Sequence, residues 1–333
     1  MSKYLGSIVI SLCLILLQAC GGGVDPNATT TGGGRPNPGG VGGTAGDGAG
    51  GPGGPTVGGP VTPLSAQFLD SGVVQGLDYS SPAGINGVTD SNGMFNFVPG
   101  DDGIVTFSIG NIVLGSAEVG ANFGTDFPVV TPVELVDGSI SGMTGETAEN
   151  NPTVTNITRF LQTLDDDGDP SNGILINETV RMTASGNFAV NFDQTTEDFE
   201  IDPFLFAALT GLTPSTTAGF RGLVATTVAR SNLRPTLFET LAGFYQGVFL
   251  SEVNNGTVDI AVDENGNITG SAEGNSADFV LTGSLESDGM LENANFGFGI
   301  DFEGQFMRSG EASGTFEENG TFTLFRVTPP QQQ

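Results

Sequence analysis

This chain contains no histidine or tryptophan and only one lysine. These absences exclude several kinds of catalytic and metal-binding site. The 333 residues include no His and no Trp, and the only lysine is Lys3. Without histidine there is no Ser-His-Asp triad, no Cys-His dyad and no His-ligated zinc or iron site. Beyond Lys3 there is no lysine for a Schiff base. Carboxylate pairs remain as acid/base groups, so a carboxylate-dependent hydrolase is the enzyme class left open.

Basic residues are scarce altogether. Nine Lys and Arg stand against 38 Asp and Glu, which gives a formal net charge of −29. Nucleic acid and anionic membrane surfaces repel a chain this acidic, so nucleic-acid binding is not expected. Charged residues make up only 14% of the chain and apolar residues 37%, so a folded core is expected instead of a disordered acidic tail.

An apolar run from Leu5 to Leu17 begins just after Lys3. It is short for a bilayer core of ~30 Å, and a Gly-rich tract follows it in place of a basic flank. A basic start, an apolar core and a small residue before the cut describe a secretory signal over residues 1–19. A transmembrane helix, or a plain secretory signal with a chance cysteine, are the alternatives.

The residues Leu17-Gln18-Ala19-Cys20 close this run and resemble the lipobox of bacterial lipoproteins. The resemblance implies that Cys20 is lipidated and becomes the first residue of the mature protein. Cys13 lies inside the predicted signal, so lipidation would consume the only mature thiol. Gly21 stands where inner-membrane lipoproteins of the families it resembles carry Asp. The resemblance therefore implies lipid anchoring at the outer membrane, with the head in the periplasm or on the cell surface.

Residues 20–63 are predicted to be a disordered tether behind the lipidated cysteine. Glycine dominates this stretch, with Pro and Thr interspersed and almost no apolar side chains. About 40 such residues have an r.m.s. reach of roughly 35 Å, enough to hold a folded head clear of the lipid. Gly46, Gly48 and Gly51 have a GxGxxG-like spacing, but no strand precedes them and no helix follows, so a phosphate cradle is not expected.

Residues 64–136 have the alternation of short β-strands. Apolar and polar residues alternate in four stretches, and turn residues separate them. Asn92-Gly93 after Asp90 predicts a tight turn, because Asn and Gly accept a positive φ. Residues 87–97 are similar to the "TDxxGxF" hairpin of carboxypeptidase-regulatory-like and transthyretin-like β-sandwich modules. The resemblance implies a small β-sandwich-like module that is accessory and not catalytic.

The middle of the chain, residues 137–242, is predicted to be a mixed segment with helices and an acidic loop. Apolar residues follow a helical period between Val154 and Leu164. Asp202 and Pro203 have the positions of an N-cap and a first helical residue. Residues 215–233 also show helical spacing. These helices are expected to pack against a sheet or to bridge two β units.

The acidic loop between Asp165 and Glu178 has a spacing similar to an EF-hand calcium loop. A count from Asp167 places oxygen-bearing groups at positions one, three, five, seven and twelve: Asp167, Asp169, Ser171, Gly173 and Glu178. Asn172 occupies position six, where the family has Gly, although Asn tolerates the left-handed conformation. These five residues are the candidate calcium ligands, and calcium is the only candidate cofactor. The alternative is an acidic turn that joins a helix to a strand.

Residues 243–327 alternate between short strands and hairpin turns, about eight strands in all. This pattern predicts an antiparallel β-meander, either a small up-and-down barrel or a strongly curved sheet. Three Gly-containing units form a weak internal repeat, and similar repeats occur in uncharacterised bacterial lipoproteins: residues 268–271, 281–284 and 312–315. Residues 328–333 are predicted to be a disordered tail.

The fold class expected is therefore mainly β, with a β-sandwich-like module, a short helical middle and a C-terminal meander or barrel. The favoured function is a non-catalytic, membrane-anchored binding or adhesion module. Its expected partners are the lipid bilayer, through the anchor, and an unknown protein or glycan. A small-ligand carrier with a lipocalin-like barrel is the alternative, and a carboxylate-dependent hydrolase is the third hypothesis. No catalytic residue is assigned.

Overall fold

A computed structural model describes residues 62–98, 103–119, 128–137, 148–296, 300–316 and 319–327. The predicted signal, Cys20, the tail and nearly all of the predicted tether lie outside the described residues. All described residues belong to one compact unit, Gly58–Gln333.

The described residues form 17 strands, six α-helices and three short 3-10 turns. The strands of the first half are β1 (Leu64–Phe68), β2 (Val74–Gln75), β3 (Asp78–Ser80), β4 (Asn86–Val88), β5 (Met94–Phe97), β6 (Ile104–Ile109), β7 (Ile112–Glu118), β8 (Val129–Val130) and β9 (Ile174–Leu175). The helices are α1 (Pro132–Asp137), α2 (Pro152–Leu164), α3 (Glu178–Ala184), α4 (Thr196–Ile201), α5 (Pro203–Leu212) and α6 (Thr226–Leu241). The 3-10 turns are Ala148–Asn150, Pro170–Asn172 and Thr213–Ser215. The last eight strands are β10 (Gly243–Leu250), β11 (Asn255–Val262), β12 (Asn267–Gly274), β13 (Phe279–Leu285), β14 (Leu291–Phe296), β15 (Ile300–Phe306), β16 (Glu311–Phe316) and β17 (Gly320–Val327).

The first strands form a four-stranded sheet in the order β4-β3-β6-β7 and a three-stranded sheet in the order β5-β1-β8. Alternate residues of β6 are buried, as the sequence alternation predicts. Phe107 of β6 joins the two sheets, because its ring lies 4.8 Å from that of Phe68 on β1 and 4.9 Å from that of Phe95 on β5. The sheets therefore pack face to face around an aromatic core.

The predicted turn after Asp90 is present. The Asp90 carboxylate accepts hydrogen bonds from the backbone N–H groups of Asn92 and Met94, and Gly93 has a φ of +70°. The flanking strands differ from a simple hairpin, however. β4 pairs with β3 and β5 pairs with β1, so the chain crosses from one sheet to the other at this turn.

Helix α2 is the central helix of the head, and every residue from Val154 to Leu164 is buried. Asn151 caps its N-terminus and Pro152 fills the first position, as local chemistry favours. The apolar face of α2 shares one hydrophobic core with the sheets and with α3, α4 and α5, and this core extends from Ala66 to Leu212. The helical spacing predicted between Val154 and Leu164 is confirmed, and so are the cap at Asp202 and the first helical residue Pro203.

The helix predicted over residues 215–233 is misplaced. Helix α6 begins at Thr226 and continues through Pro235 to Leu241. Two features hold residues 216–225 out of a helix: Gly219 has a φ of +74°, and the Val224 backbone N–H donates to the Thr163 side chain instead of to a helical carbonyl.

The C-terminal strands β10 to β17 form a closed antiparallel barrel, and the prediction of a small barrel is confirmed. Each strand pairs with the next, and β10 pairs with β17 over seven residues. The weak internal repeat has a structural reason. A Cβ atom on Gly270 would collide with the Asp259 carbonyl oxygen, and one on Gly314 would lie 2.6 Å from the Gly304 Cα. Neighbouring strands approach closely at these positions, so they accept only glycine.

Candidate functional site

The acidic loop between α2 and β9 folds back on itself. One carboxylate oxygen of Asp167 accepts from the Asp169 backbone N–H at 2.9 Å, and the other accepts from the Asn172 amide at 2.9 Å. Asp169 caps the 3-10 turn, because its carboxylate accepts from the Ser171 backbone N–H and hydroxyl. Two of the candidate calcium ligands are thus held by donors from within the loop.

The two preceding carboxylates bond to other parts of the chain. Asp165 is buried, and its carboxylate accepts from the Leu175 backbone N–H at 2.9 Å. The Asp166 carboxylate accepts from the Thr217 backbone N–H and hydroxyl, and from the Asn177 amide. These bonds tie α2 to the start of α3 and to the irregular segment before α6, which gives the acidic residues a structural role.

Arg221 supplies a positive charge beside the loop. Its guanidinium donates to the Thr163 carbonyl at 2.6 Å and to the Asp165 carbonyl, and it packs against Gly168. Burial raises the pKa of Asp165 to about 6, with the charge of Arg221 acting in the opposite direction. The hydrogen bond from Asn172 lowers the pKa of Asp167. Sequence spacing did not reveal Arg221, since it lies 56 positions after Asp165.

The remaining candidate calcium ligands lie at different places. Gly173 ends the 3-10 turn with a φ of +99°, and Glu178 is the exposed first residue of α3. Within the described ranges, no three His, Cys, Asp or Glu side chains come together in a group that could hold a metal ion. Calcium binding by Asp167, Asp169, Ser171, Gly173 and Glu178 stays a prediction that rests on the sequence spacing alone.

The interior of the barrel is filled by aromatic rings. The Tyr245 ring packs edge-on against Phe306 at 4.9 Å between centroids, and Phe302 lies 5.7 Å from Phe322. Phe249 packs against Phe316 at 6.1 Å. Aliphatic residues from the other strands complete this core: Val258, Val262, Ile268, Leu281, Leu285 and Leu324. Side chains of this size fill an eight-stranded barrel without leaving a channel.

A small cavity remains between these side chains. The volume of this cavity that a water-sized sphere can occupy is about 30 Å³. Its walls are almost entirely apolar and include Val258, Ile268, Leu281, Phe302 and Phe322. This space corresponds to two or three water-sized spheres, whereas pockets for drug-sized ligands occupy about 300–1,000 Å³.

One end of the barrel is covered by the end of α6. Leu241 is fully buried in the barrel core, and its carbonyl accepts the Tyr245 hydroxyl at 2.8 Å. Arg308, in the β15–β16 turn, donates to the Thr240 hydroxyl at 3.1 Å and forms a buried ion pair with Glu134 of α1 at 3.5 Å. Helix, turn and barrel are therefore joined by apolar contacts and by a buried charge pair.

Several large apolar side chains are exposed outside the barrel core, and two groups of them lie on neighbouring elements. On the outer face of β10 and β17, Phe244 is 49% and Phe325 is 55% exposed. On α4 and α5, the exposed residues are Ile201, Phe204 and Phe206. The sequence analysis missed both groups. The available signal was that α5 carries no charge on any face and that both faces of β10 carry large apolar residues.

In the part of the chain that the structure describes, no helix has both the length and the apolar character needed to cross a membrane. No family model, no curated protein and no solved structure matches the chain.

Proposed function

We propose that the chain is a lipid-anchored, non-catalytic bacterial lipoprotein whose β-rich head binds a macromolecular partner through its outer surface. The anchor is proposed from the lipobox-like residues 17–20, with Cys20 as the lipidated residue. The Gly-rich stretch behind it would act as a tether. The outer membrane is the proposed location, because Gly21 follows the cysteine.

The filled barrel carries this proposal. An eight-stranded barrel binds a ligand inside only if its side chains leave space, and Phe302, Phe306 and Phe322 occupy that space here. The packing of this head therefore supports binding through its outer surface. The exposed Phe204 and Phe206 of α5 agree with this, since aromatic residues are enriched at protein interfaces.

A small-ligand carrier is the second candidate, and the residual cavity is the observation that favours it. Its apolar walls would suit a hydrocarbon chain. The cavity is about tenfold too small for one, so a carrier would have to move Phe302 or Phe322 out of the barrel.

The interior can be tested with a fluorescent fatty acid as the probe. We expect no saturable binding by the unmodified head, because the rings leave no room for an acyl chain. The variant with Phe302→Ala and Phe322→Ala should bind the probe, because a cavity lined by aliphatic and aromatic groups stays dry and accepts apolar molecules. Saturable binding by the unmodified head, displaced by unlabelled fatty acid, would support the carrier instead.

The anchor can be tested in bacteria that express the full-length chain. We expect Cys20→Ser to abolish incorporation of radiolabelled palmitate and to move the protein out of the membrane fraction. Cys13→Ser is the matched control, since this cysteine lies inside the predicted signal, and it should leave labelling unchanged. Palmitate labelling that persists in Cys20→Ser would contradict the proposed lipidation site.

A further inference from the structure

Helices α4 and α5 present an apolar surface to solvent. Ile201 is 78% exposed, Phe204 62% and Phe206 68%. The opposite side of the two helices is buried in the core, through Phe199, Leu205, Ala208, Leu209 and Leu212. Helix α5 is therefore apolar all round although only one side of it has a partner within the described residues. A helix of this kind is normally covered on both sides.

The exposed side of α5 is continuous. Pro203, Ala207 and Thr210 lie at helical spacings of three and four along its centre, and Phe204 and Phe206 flank this row on either side. Ile201 adds to the surface at the end of α4. We call Ile201, Phe204 and Phe206 the apolar ridge. Each of these three side chains is exposed over more than half of its surface.

Acidic side chains border the ridge. Glu197, Asp198 and Glu200 are exposed on α4, and Glu197 lies one helical turn before Ile201. The exposed Asp193 precedes Gln194, whose amide donates to the Asp202 carboxylate at the start of α5 at 3.1 Å. No Lys or Arg occurs in the sequence between Arg181 and Arg221. Glu200 is paired with a cation from the core, because the buried Arg159 forms an ion pair with it at 3.1 Å. The ridge is thus an apolar centre with an acidic rim.

We propose that the apolar ridge docks a basic amphipathic segment of another protein, whose apolar face covers Ile201, Phe204 and Phe206 and whose Lys or Arg side chains meet the acidic rim. This proposal deepens the proposed function, on which it rests, by naming the surface and the class of partner. An apolar centre with a charged rim is the usual anatomy of a protein interface. The acidic rim determines the sign of the charge that the partner carries, because opposite charges favour association and like charges oppose it.

The same rim argues against two other occupants. A second copy of this chain would bring an identical acidic rim, and each chain carries a formal charge of −29. A bilayer with anionic headgroups would be repelled for the same reason. An exposed helix face can also pack against another helix, since side-chain ridges of one helix fit into grooves of the next.

A labelled synthetic peptide of leucine and lysine, patterned as an amphipathic helix, is the probe for this surface. We expect the head to bind it at low salt and to bind it at least about tenfold more weakly after Phe204→Ser and Phe206→Ser. The matched control is Phe244→Ser with Phe325→Ser, a phenylalanine pair on the barrel that is about half exposed, and it should leave the affinity unchanged. The barrel pair controls for the general attraction between an acidic protein and a cationic peptide.

The rim is tested separately with Asp193→Asn and Glu197→Gln. This variant keeps the phenylalanines, and we expect it to weaken peptide binding at low salt and to flatten the dependence of affinity on salt. Equal peptide affinity for the ridge variant and the unmodified head would overturn the proposal. So would binding to phosphatidylcholine vesicles, or a concentration-dependent dimer, that the ridge variant loses while peptide binding stays the same. None of these results bears on palmitate labelling or fatty-acid binding. The proposal for the apolar ridge and the proposed function can therefore be refuted independently.

Discussion

Replacing Arg308 by methionine is expected to lower the free energy of unfolding of the head by about 3–5 kcal/mol. The Arg308 side chain is 2% exposed and the Glu134 side chain is fully buried. The guanidinium also donates to the Ser287 carbonyl at 2.7 Å, and the second Glu134 oxygen accepts from the Thr131 backbone N–H and hydroxyl. Arg308→Met would leave a buried carboxylate without its counter-charge, and this desolvated charge is the source of the cost.

Urea unfolding of single and double variants measures this effect. We expect Glu134→Gln to be costly as well, and the double variant to be more stable than the sum of the two losses allows, because it leaves no unpaired charge. Arg181→Met is the matched control. Arg181 pairs with Asp78 at 3.1 Å, but both side chains are partly exposed, so its loss should cost about 1 kcal/mol or less. Equal losses for Arg308→Met and Arg181→Met would refute the role given to the buried pair.

Asp70→Asn is expected to stabilise the head at pH 7 by up to about 3 kcal/mol and to have little effect at pH 4. Burial raises the pKa of Asp70 from 3.8 to about 6, although the hydrogen bond from Gln162 lowers it. The folded state therefore holds the Asp70 proton more tightly than the unfolded state. Its contribution to stability is fully present below pH 3.8 and is lost as the pH rises through 6.

The surroundings of Asp70 make the amide an acceptable replacement. One carboxylate oxygen accepts from the Gln162 amide at 2.9 Å, and Gln162 in turn accepts from Asn232 at 3.0 Å. An amide oxygen can accept the same bond without a buried charge. Thermal unfolding at a series of pH values is the measurement, with the exposed Asp193→Asn as control. A steep fall in stability between pH 4 and 6 that is the same in Asp70→Asn and in the unmodified head would rule out Asp70 as its source.

Local sequence rules predicted the elements whose signals are local. Alternation predicted β6, and the Asn151-Pro152 and Asp202-Pro203 pairs have the chemistry that starts α2 and α5. The internal repeat of glycines, visible but unexplained in the sequence, marks the close approach of barrel strands. The misplaced start of α6 followed from apolar spacing that ignored Gly219 and the tertiary bond to Val224.

The parts that could not be predicted depend on contacts between distant residues. Arg308 and Glu134 are 174 positions apart, and the residues next to them in the sequence give no signal that predicts the ion pair. Arg221 reaches the acidic loop from beyond α5. The exposure of Phe204 and Phe206 is also a tertiary property, because an apolar helix is as easily read as fully buried. Spacing alone placed five candidate ligands in the loop without showing which carboxylates already had donors.

The closure of the barrel by β10 and β17 matters for a protein proposed to be anchored at a membrane surface. An open sheet exposes unpaired N–H and C=O groups along its outer strands, and neighbouring copies can join through them into aggregates. In this barrel every strand from β10 to β17 has a partner on both sides, so the described strands of the barrel include no such outer strand. Many heads could then be concentrated on one membrane without polymerising through their sheets, which leaves their side chains as the means of contact.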